Sequence, residues 1–181
     1  TEAEPEAAPE APGGAPEHAP GRFDVPAGYQ VMTGSVDGEG RAVGVVVAKF
    51  NGEITSRLLE RALDELETAG VARESVTIVP VPGAFELPLA AMALAKTRKY
   101  ACVVALGCVV RGETPHFDFV AGEAASGLQL AAIETGVPVA FGVLTTETIE
   151  QAEARIDRVA DVVRGALEMA NLFQQLRSAA K

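Results

Sequence analysis

Short aliphatic runs alternate with longer amphipathic segments along most of the chain, and this alternation limits the possible folds more than any other feature. An aliphatic run without charged residues is typical of a strand that is buried on both faces, as the strands of parallel sheets are. The longer segments place apolar residues three or four positions apart, which is the spacing of one helix face. Strands that alternate with helices form parallel sheets with right-handed crossovers, so helices are expected on both faces of a single sheet.

The pattern predicts four strands and four helices. The predicted strands are residues 42–48, 76–79, 101–108 and 139–144, and the predicted helices are residues 54–69, 85–97, 119–135 and 148–178. Asn51 is placed to cap the first helix and Gly70 to end it, while Pro88 falls in the first turn of a helix, where proline is tolerated. We therefore predict a flavodoxin-like three-layer α/β/α sandwich with a central four-stranded parallel sheet. Residues 29–36 are compatible with one extra N-terminal strand, loosely attached to the domain.

The first 28 residues differ from the rest in composition. They contain five Glu, one Asp and one Arg, so they contribute −5 of the formal net charge of −10, and they hold six of the eleven prolines. A segment with so little apolar surface to bury is expected to stay disordered. It also lacks the basic start and apolar run of a secretory signal. We predict a disordered acidic tail over residues 1–28 and one α/β domain over residues 29–181.

Charge, hydropathy and cysteine spacing argue against several classes of partner. The acidic balance disfavours nucleic acid, whose binding relies on Lys and Arg. The longest apolar run, residues 101–110, is too short to span a bilayer. Cys102 and Cys108 lie in that run, where one strand would point both the same way without letting them form a disulfide, so buried packing is expected. We predict a cytoplasmic protein with no membrane, nucleic-acid or metal partner.

The residues that follow each predicted strand hold most of the chemically active side chains. Ligands of such sheets bind outside the carboxyl ends of the strands, so these segments are expected to share one rim. They are residues 49–51, 82–86, 107–116 and 141–145. Together they supply aromatic rings, a carboxylate, a histidine, an arginine and glycines that expose backbone N–H groups. This inventory suits a planar polar ligand together with an anion.

His116 is the one histidine of the predicted domain and hence its candidate for proton transfer near neutral pH. A purely structural explanation stays open for it as a loop histidine, and for Phe50 and Phe85 as core residues. Glu86 in the first turn of a helix would favourably meet the helix dipole, and Arg155 is compatible with a solvated surface position. These residue types alone therefore do not decide between a site and a scaffold.

Residues 111–114, Arg-Gly-Glu-Thr, are compatible with a phosphate cradle built from backbone N–H groups and a hydroxyl. They do not form a Walker motif. No Gly-x-Gly-x-x-Gly follows the first strand, which disfavours a dinucleotide cofactor, and no serine nucleophile elbow occurs. The motifs therefore favour an anionic ligand over a nucleotide cofactor.

Four motifs together resemble the 6,7-dimethyl-8-ribityllumazine synthase family. They are Phe50-Asn51, the run Val-Pro-Gly-Ala-Phe-Glu-Leu-Pro at 81–88, the run from Leu106 to Phe117, and residues 136–146. The resemblance covers roughly residues 41–155 and resumes at residues 168–172. It implies the penultimate step of riboflavin biosynthesis, in which 5-amino-6-(D-ribitylamino)uracil condenses with 3,4-dihydroxy-2-butanone 4-phosphate and loses phosphate and two waters.

The resemblance also implies roles for individual residues. His116 would transfer protons, and Phe50 would stack on the pyrimidine ring. The other residues around the pyrimidine and its ribityl chain would be Ala84, Phe85, Glu86, Cys108, Val109, Val110 and, from the neighbouring subunit, Phe141. The butanone phosphate would be held by Glu113, Thr114 and Arg155, the last also from the neighbour. The implied enzyme needs no cofactor, and it is a homopentamer or an assembly of pentamers, with active sites at subunit interfaces and the extra N-terminal strand exchanged with a neighbour.

The chain departs from the family pattern at residues 156–165. This segment is shorter than in many relatives and lacks the usual Lys-Gly turn. The phosphate site would then be one cation short, with Arg158 or Arg164 as candidates to compensate. Two other functions stay open. One is a weakly active or inactive paralogue that binds flavin or lumazine or acts as an assembly scaffold. The other is the related archaeal-type riboflavin synthase, which the residues around His116 disfavour.

Overall fold

The computed structural model describes residues 23–180, and its centre is a parallel sheet of four strands in the order β2-β1-β3-β4. The strands are β1 (Val43–Ala48), β2 (Val76–Val81), β3 (Cys102–Val110) and β4 (Val139–Thr146). Each neighbouring pair is parallel. The predicted four-stranded parallel sheet is therefore confirmed, with β2, β3 and β4 each two residues longer at their carboxyl ends than the pattern indicated.

The described residues also form five α-helices and three short 3₁₀ turns, of which two helices and one turn follow the last strand. The helices are α1 (Gly52–Thr68), α2 (Leu87–Lys96), α3 (His116–Thr135), α4 (Ile149–Glu153) and α5 (Val159–Ala179), and the 3₁₀ turns are Arg73–Ser75, Ala84–Glu86 and Ile156–Arg158. Pro88 lies in the first turn of α2, where its missing N–H costs no helical hydrogen bond. Gly70 follows the end of α1 with φ +92°, a conformation that favours glycine.

Alternate residues of β1 and β3 pack into two separate cores. On one face, Val45 and Val104 belong to a buried cluster with Leu58 of α1 and Leu167 of α5. On the other face, a second cluster holds the intervening strand residues with α2 and α3. It includes Val46, Val103, Ala105, Leu87, Ala91 and Leu128. Because every residue of β1 is buried, both of its faces need helices. This is the predicted three-layer α/β/α sandwich.

The prediction of one helix over residues 148–178 is wrong, because the chain breaks after Glu153 and resumes as α5 at Val159. Arg155 leaves the helical conformation, with φ −114° and ψ 2°. The break contains no glycine or proline, so the sequence carries no stop signal there. Ile156 and Val159 nevertheless both reach the same buried cluster as α5, which explains why the apolar stripe continues through the break.

The chain divides after Val31 into two units. The described part of the first, residues 23–31, contains no helix or strand, and the predicted acidic tail otherwise lies outside the described residues. In the second unit, α5 holds the segment before β1. Asn171 donates to the carbonyls of Ser35 and Asp37 at 2.8 Å each, and Gln175 donates to that of Thr33 at 2.9 Å. Exchange of a strand with a neighbour concerns a second copy of the chain and stays a prediction.

Cys102 and Cys108 are both buried and free, and both contribute to the core cluster shared by α1 and α5. Burial raises the pKa of the Cys102 thiol to about 12 and also raises the pKa of Cys108. Both side chains therefore remain thiols near neutral pH and are poor nucleophiles. No described helix is long and apolar enough to cross a membrane.

Candidate active site

A pocket of about 620 Å³ opens at the carboxyl ends of β1, β2 and β3, and its volume lies within the range of small-molecule sites. Its walls are built from the segments that follow these three strands. The lining residues are Phe50, Asn51, Gly83, Ala84, Phe85, Glu86, Cys108, Val109, Val110, Gly112, Thr114, His116, Phe117, Phe119 and Val120. Nine of the twelve residues predicted for the site therefore lie together in one protomer.

Phe50 lies at this rim because hydrogen bonds join the backbone after β1 to the segments at the ends of β2 and β3. Its N–H donates to the carbonyl of Pro82 at 3.1 Å, which extends the pairing with the β2 side beyond the strand. The next residue, Asn51, adopts the left-handed conformation with φ 56°, and its amide donates to the carbonyl of Cys108 at 2.9 Å. The Phe50 side chain remains 69% exposed. The core explanation of Phe50 is therefore excluded, and Asn51 ties two strand ends together instead of capping α1 with its side chain.

The second wall is a 3₁₀ turn, Ala84–Glu86, that leads directly into α2. Ala84 is buried and anchors the turn, whereas Phe85 is 57% exposed and so is not a core residue. Glu86 is exposed, lies at the N-cap of α2 and faces the pocket. A carboxylate at the positive end of a helix is stabilised there and can accept hydrogen bonds from hydroxyl or amine groups of a ligand.

The third wall runs from the end of β3 to the start of α3. Cys108 lines the pocket and also belongs to the buried cluster on the α1 and α5 side of the sheet, and Val109 and Val110 are half-buried. His116 is the first residue of α3, which begins earlier than predicted. Its ring is exposed, and within the described chain no hydrogen bond involves its imidazole. The structure thus leaves His116 open to a ligand rather than satisfied as a loop residue.

Three of the predicted site residues lie outside this pocket. Glu113 sits between two lining residues but is not itself one of them. Phe141 lies near the start of β4, opposite Ala105, and borders a separate hollow that also includes Met169. The expectation that Phe141 reaches the carboxyl rim of its own sheet is wrong, because β4 continues to Thr146. Arg155 follows α4, where its guanidinium donates to the carbonyl of Gln151 at 2.8 Å.

No Lys or Arg lines the pocket in the part of the chain that the structure describes. Arg164, a candidate for the missing cation, pairs instead with buried Glu65 of α1 at 2.7 Å and with Asp161 at 3.0 Å. In this protomer, Arg164 therefore does not supply the cation that the phosphate site lacks. Among the lining residues, the Thr114 hydroxyl is a neutral hydrogen-bond donor that an anion could use.

Arg111, which sequence reasoning grouped with a phosphate cradle, has three partners of its own. Its guanidinium donates to both carboxylate oxygens of Asp118, at 3.0 and 3.1 Å, and to Glu147 at 3.1 Å. It also lies 4.2 Å from the centre of the Phe117 ring. The hydrogen bonds from Arg111 lower the pKa of Asp118, so this carboxylate stays charged well below neutral pH. No spacing rule links these residues, which explains why the sequence did not reveal the cluster.

A parallel α/β sandwich with an open, partly aromatic pocket at the strand ends is the class of fold in which small molecules bind at that rim. The family model of 6,7-dimethyl-8-ribityllumazine synthase matches residues 40–174, which include the whole pocket. A relative from Desulfatibacillum aliphaticivorans, named 6,7-dimethyl-8-ribityllumazine synthase, is 46% identical over 153 residues, covering 82% of this chain and 99% of the relative. The chain belongs to the 6,7-dimethyl-8-ribityllumazine synthase family.

Membership in this family defines the reaction. The chain is a transferase of riboflavin biosynthesis. It condenses 5-amino-6-(D-ribitylamino)uracil with 3,4-dihydroxy-2-butanone 4-phosphate to give 6,7-dimethyl-8-ribityllumazine, phosphate and water.

Proposed function

We propose that this condensation takes place in the pocket at the strand ends, and that a neighbouring subunit completes the site. The observation that carries the proposal is that the pocket offers no positive charge to a substrate that carries a phosphate. The pocket offers aromatic faces, a carboxylate and a histidine, yet no cation lines it among the described residues. One of the two substrates is a phosphate ester, whose binding is favoured by positive charge. Arg155, which the family resemblance assigns to the phosphate, is placed outside the pocket of its own protomer.

The pyrimidine is proposed to stack on the exposed ring of Phe50, since a planar heterocycle gains from contact with an aromatic face. Its polar edge and ribityl hydroxyls then meet Glu86 and the backbone of the turn around Ala84 and Phe85. The backbone at Cys108, Val109 and Val110 closes the other side. The rigid setting of Phe50 between two strand ends supports this role, because a fixed platform loses little entropy on binding.

The butanone phosphate is proposed to bind at the loop before α3. This helix is 20 residues long, and its free N–H groups and dipole favour an anion at its start. The Thr114 hydroxyl and the N–H of Glu113 would donate to the phosphate oxygens. Arg155 of the neighbouring subunit would supply the charge that the pocket lacks.

His116 is proposed to move protons between the two substrates. The 5-amino group attacks the ketone, and water leaves as the imine forms. The phosphate then departs, and the ribitylamino nitrogen closes the ring with loss of the second water. An imidazole serves as both acid and base in such steps. The amine nucleophile comes with the substrate, so no cofactor or metal is proposed.

Replacing His116 with alanine is expected to lower kcat by roughly tenfold to a hundredfold while leaving measurable turnover. Much of the rate is attributed to holding two substrates together, and proximity does not depend on the imidazole. Steady-state formation of the lumazine, followed by its absorbance and green fluorescence, measures the effect. A variant with unchanged kinetics would refute the proton-transfer role.

The finer assembly is also part of the proposal: a homopentamer or an assembly of pentamers, with residues 29–36 exchanged between neighbours. The exposed side chains of Phe141 (41%) and Met169 (42%) support it, because they border one hollow and adjoining apolar surface marks protein–protein contacts. Leu89, Phe119 and Ile133 are further large apolar side chains that are exposed in the protomer. We further propose that residues 29–181 form the working domain and that the enzyme is cytoplasmic.

The direct test mixes the wild-type chain with both substrates and records the lumazine spectrum. Product formation that requires both substrates supports the proposal. Binding of the pyrimidine without product would instead favour a weakly active or inactive scaffold protein, the alternative that the sequence departure at residues 156–165 favours.

A further inference from the structure

Arg111 and its three partners form a cluster at the edge of the pocket, here called the Arg111 clamp: Arg111, Phe117, Asp118 and Glu147. The pairing with Asp118 is bidentate, at 3.0 and 3.1 Å, and the pairing with Glu147 uses the remaining edge of the guanidinium. The guanidinium plane also contacts Phe117 at 4.2 Å. The guanidinium thus contacts two carboxylates and one aromatic ring at the same time, a geometry that a lysine cannot reproduce.

The Arg111 clamp joins three separate parts of the fold. Arg111 directly follows β3, Glu147 directly follows β4, and Asp118 lies in the first turn of α3. The N–H of Arg111 also donates to the carbonyl of Thr146 at 2.9 Å. Between Arg111 and α3 lie residues 112–115, all of them exposed. The position of this loop therefore depends strongly on how its two ends are held.

We propose that Arg111 is a positioning residue: it fixes the loop 112–115 and the start of α3, so that Thr114 and His116 face the bound butanone phosphate. The inference rests on the proposed function of the pocket. Thr114 and His116 both line it, whereas Arg111, Asp118 and Glu147 do not. Arg111, Asp118 and Glu147 therefore act from outside the site through the backbone that they join, and Phe117 is the one residue of the Arg111 clamp that also lines the pocket.

Stability alone does not account for this arrangement. The side chains of Arg111, Asp118 and Glu147 are 36%, 60% and 61% exposed, and exposed ion pairs contribute little to folding. Direct phosphate binding by Arg111 is also disfavoured by the geometry. Three of its N–H donors are taken by two carboxylates, so a phosphate would have to approach the guanidinium beside both negative charges.

The test compares Arg111→Gln, Asp118→Asn and the double variant with the wild-type assembly. Each single variant is expected to lower kcat/KM for the butanone phosphate by roughly tenfold or more, because small misplacement of reacting groups is costly. Pyrimidine affinity, measured by titration without the second substrate, should stay unchanged, as should the urea unfolding midpoint. The double variant should lose no more than either single variant, since both remove one unit. Arg73→Gln is the matched control, because it breaks an exposed ion pair with Glu67 of 2.9 Å far from the clamp.

The outcomes separate the possible roles. If Arg111→Gln is impaired while Asp118→Asn keeps wild-type kinetics, Arg111 contacts the substrate itself and the positioning role is refuted. Wild-type kinetics in both variants would also refute it. The Arg111 clamp would have only a structural role if kcat/KM fell no further than in Arg73→Gln, or if it fell in proportion to a lower unfolding midpoint. Should Arg111→Gln fail to fold, Asp118→Asn carries the same test with the arginine intact. A wild-type chain that forms no product would overturn the proposed function, a result distinct from all of these.

Discussion

Replacing Arg155 with alanine is expected to raise the KM for 3,4-dihydroxy-2-butanone 4-phosphate by roughly a hundredfold, because a charge-assisted hydrogen bond to the phosphate would be lost. The pocket lacks a cation among the described residues, so the phosphate would lose its main positive partner. The affinity for the pyrimidine should be unchanged, since its proposed contacts lie around Phe50 and Glu86. Steady-state kinetics with each substrate varied in turn measure both effects.

The matched control for Arg155 is Arg57→Ala. Arg57 pairs with Glu153 of α4 at 3.3 Å, and both side chains are about half exposed. Its removal should leave both KM values near those of the wild type. An Arg155→Ala enzyme with wild-type KM for the butanone phosphate would show that another group supplies the positive charge.

Replacing Leu106 with alanine is expected to lower the free energy of unfolding by about 3 kcal/mol, the usual cost of a cavity in a well-packed core. Leu106 is fully buried in the middle of β3, between β1 and β4. The packing around it is tight: a Cβ placed on Gly142 would lie 2.8 Å from the Leu106 side chain. Urea unfolding at a fixed protomer concentration measures the change, because oligomer stability depends on concentration.

Leu106→Met is the control for this substitution, since it conserves volume and should cost less than about 1.5 kcal/mol. A loss below about 1 kcal/mol in Leu106→Ala would contradict the tight packing of this layer.

The sheet and most helices could be predicted because each strand and helix buries a local pattern of residues. β1 consists of valine, glycine and alanine, and every one of its residues is buried. The break between α4 and α5 could not, because Ile156 and Val159 keep the apolar stripe continuous while the backbone turns. Phe141 was misplaced for a related reason. The aliphatic pattern of β4 weakens at Thr145 and Thr146, yet the strand continues through both.

The candidate site, like the fold, could be predicted from the sequence only in part. Phe50, Glu86 and His116 could be grouped from the sequence, because parallel topology alone brings strand ends to one rim. The Arg111 clamp could not be predicted, since its pairs depend on the exact path of two loops. Arg155 is a different case. The sequence resemblance assigns it a role that a single protomer does not display, so its test requires more than one chain.

Subunit mixing tests the shared site most directly. One variant, Phe50→Asp, loses the stacking platform but keeps Arg155, and the other, Arg155→Ala, keeps the pocket. The two chains are co-expressed with different tags, and only assemblies that carry both tags are purified. Lumazine formation is measured for this mixture and for each variant alone, at a butanone phosphate concentration well below the KM expected for Arg155→Ala.

At equal proportions in a cyclic assembly, about a quarter of the sites should combine an intact pocket with an intact neighbouring arginine, so the mixture should regain about a quarter of the wild-type rate. A mixture whose rate equals the average of the two variants measured separately would contradict a site shared between subunits.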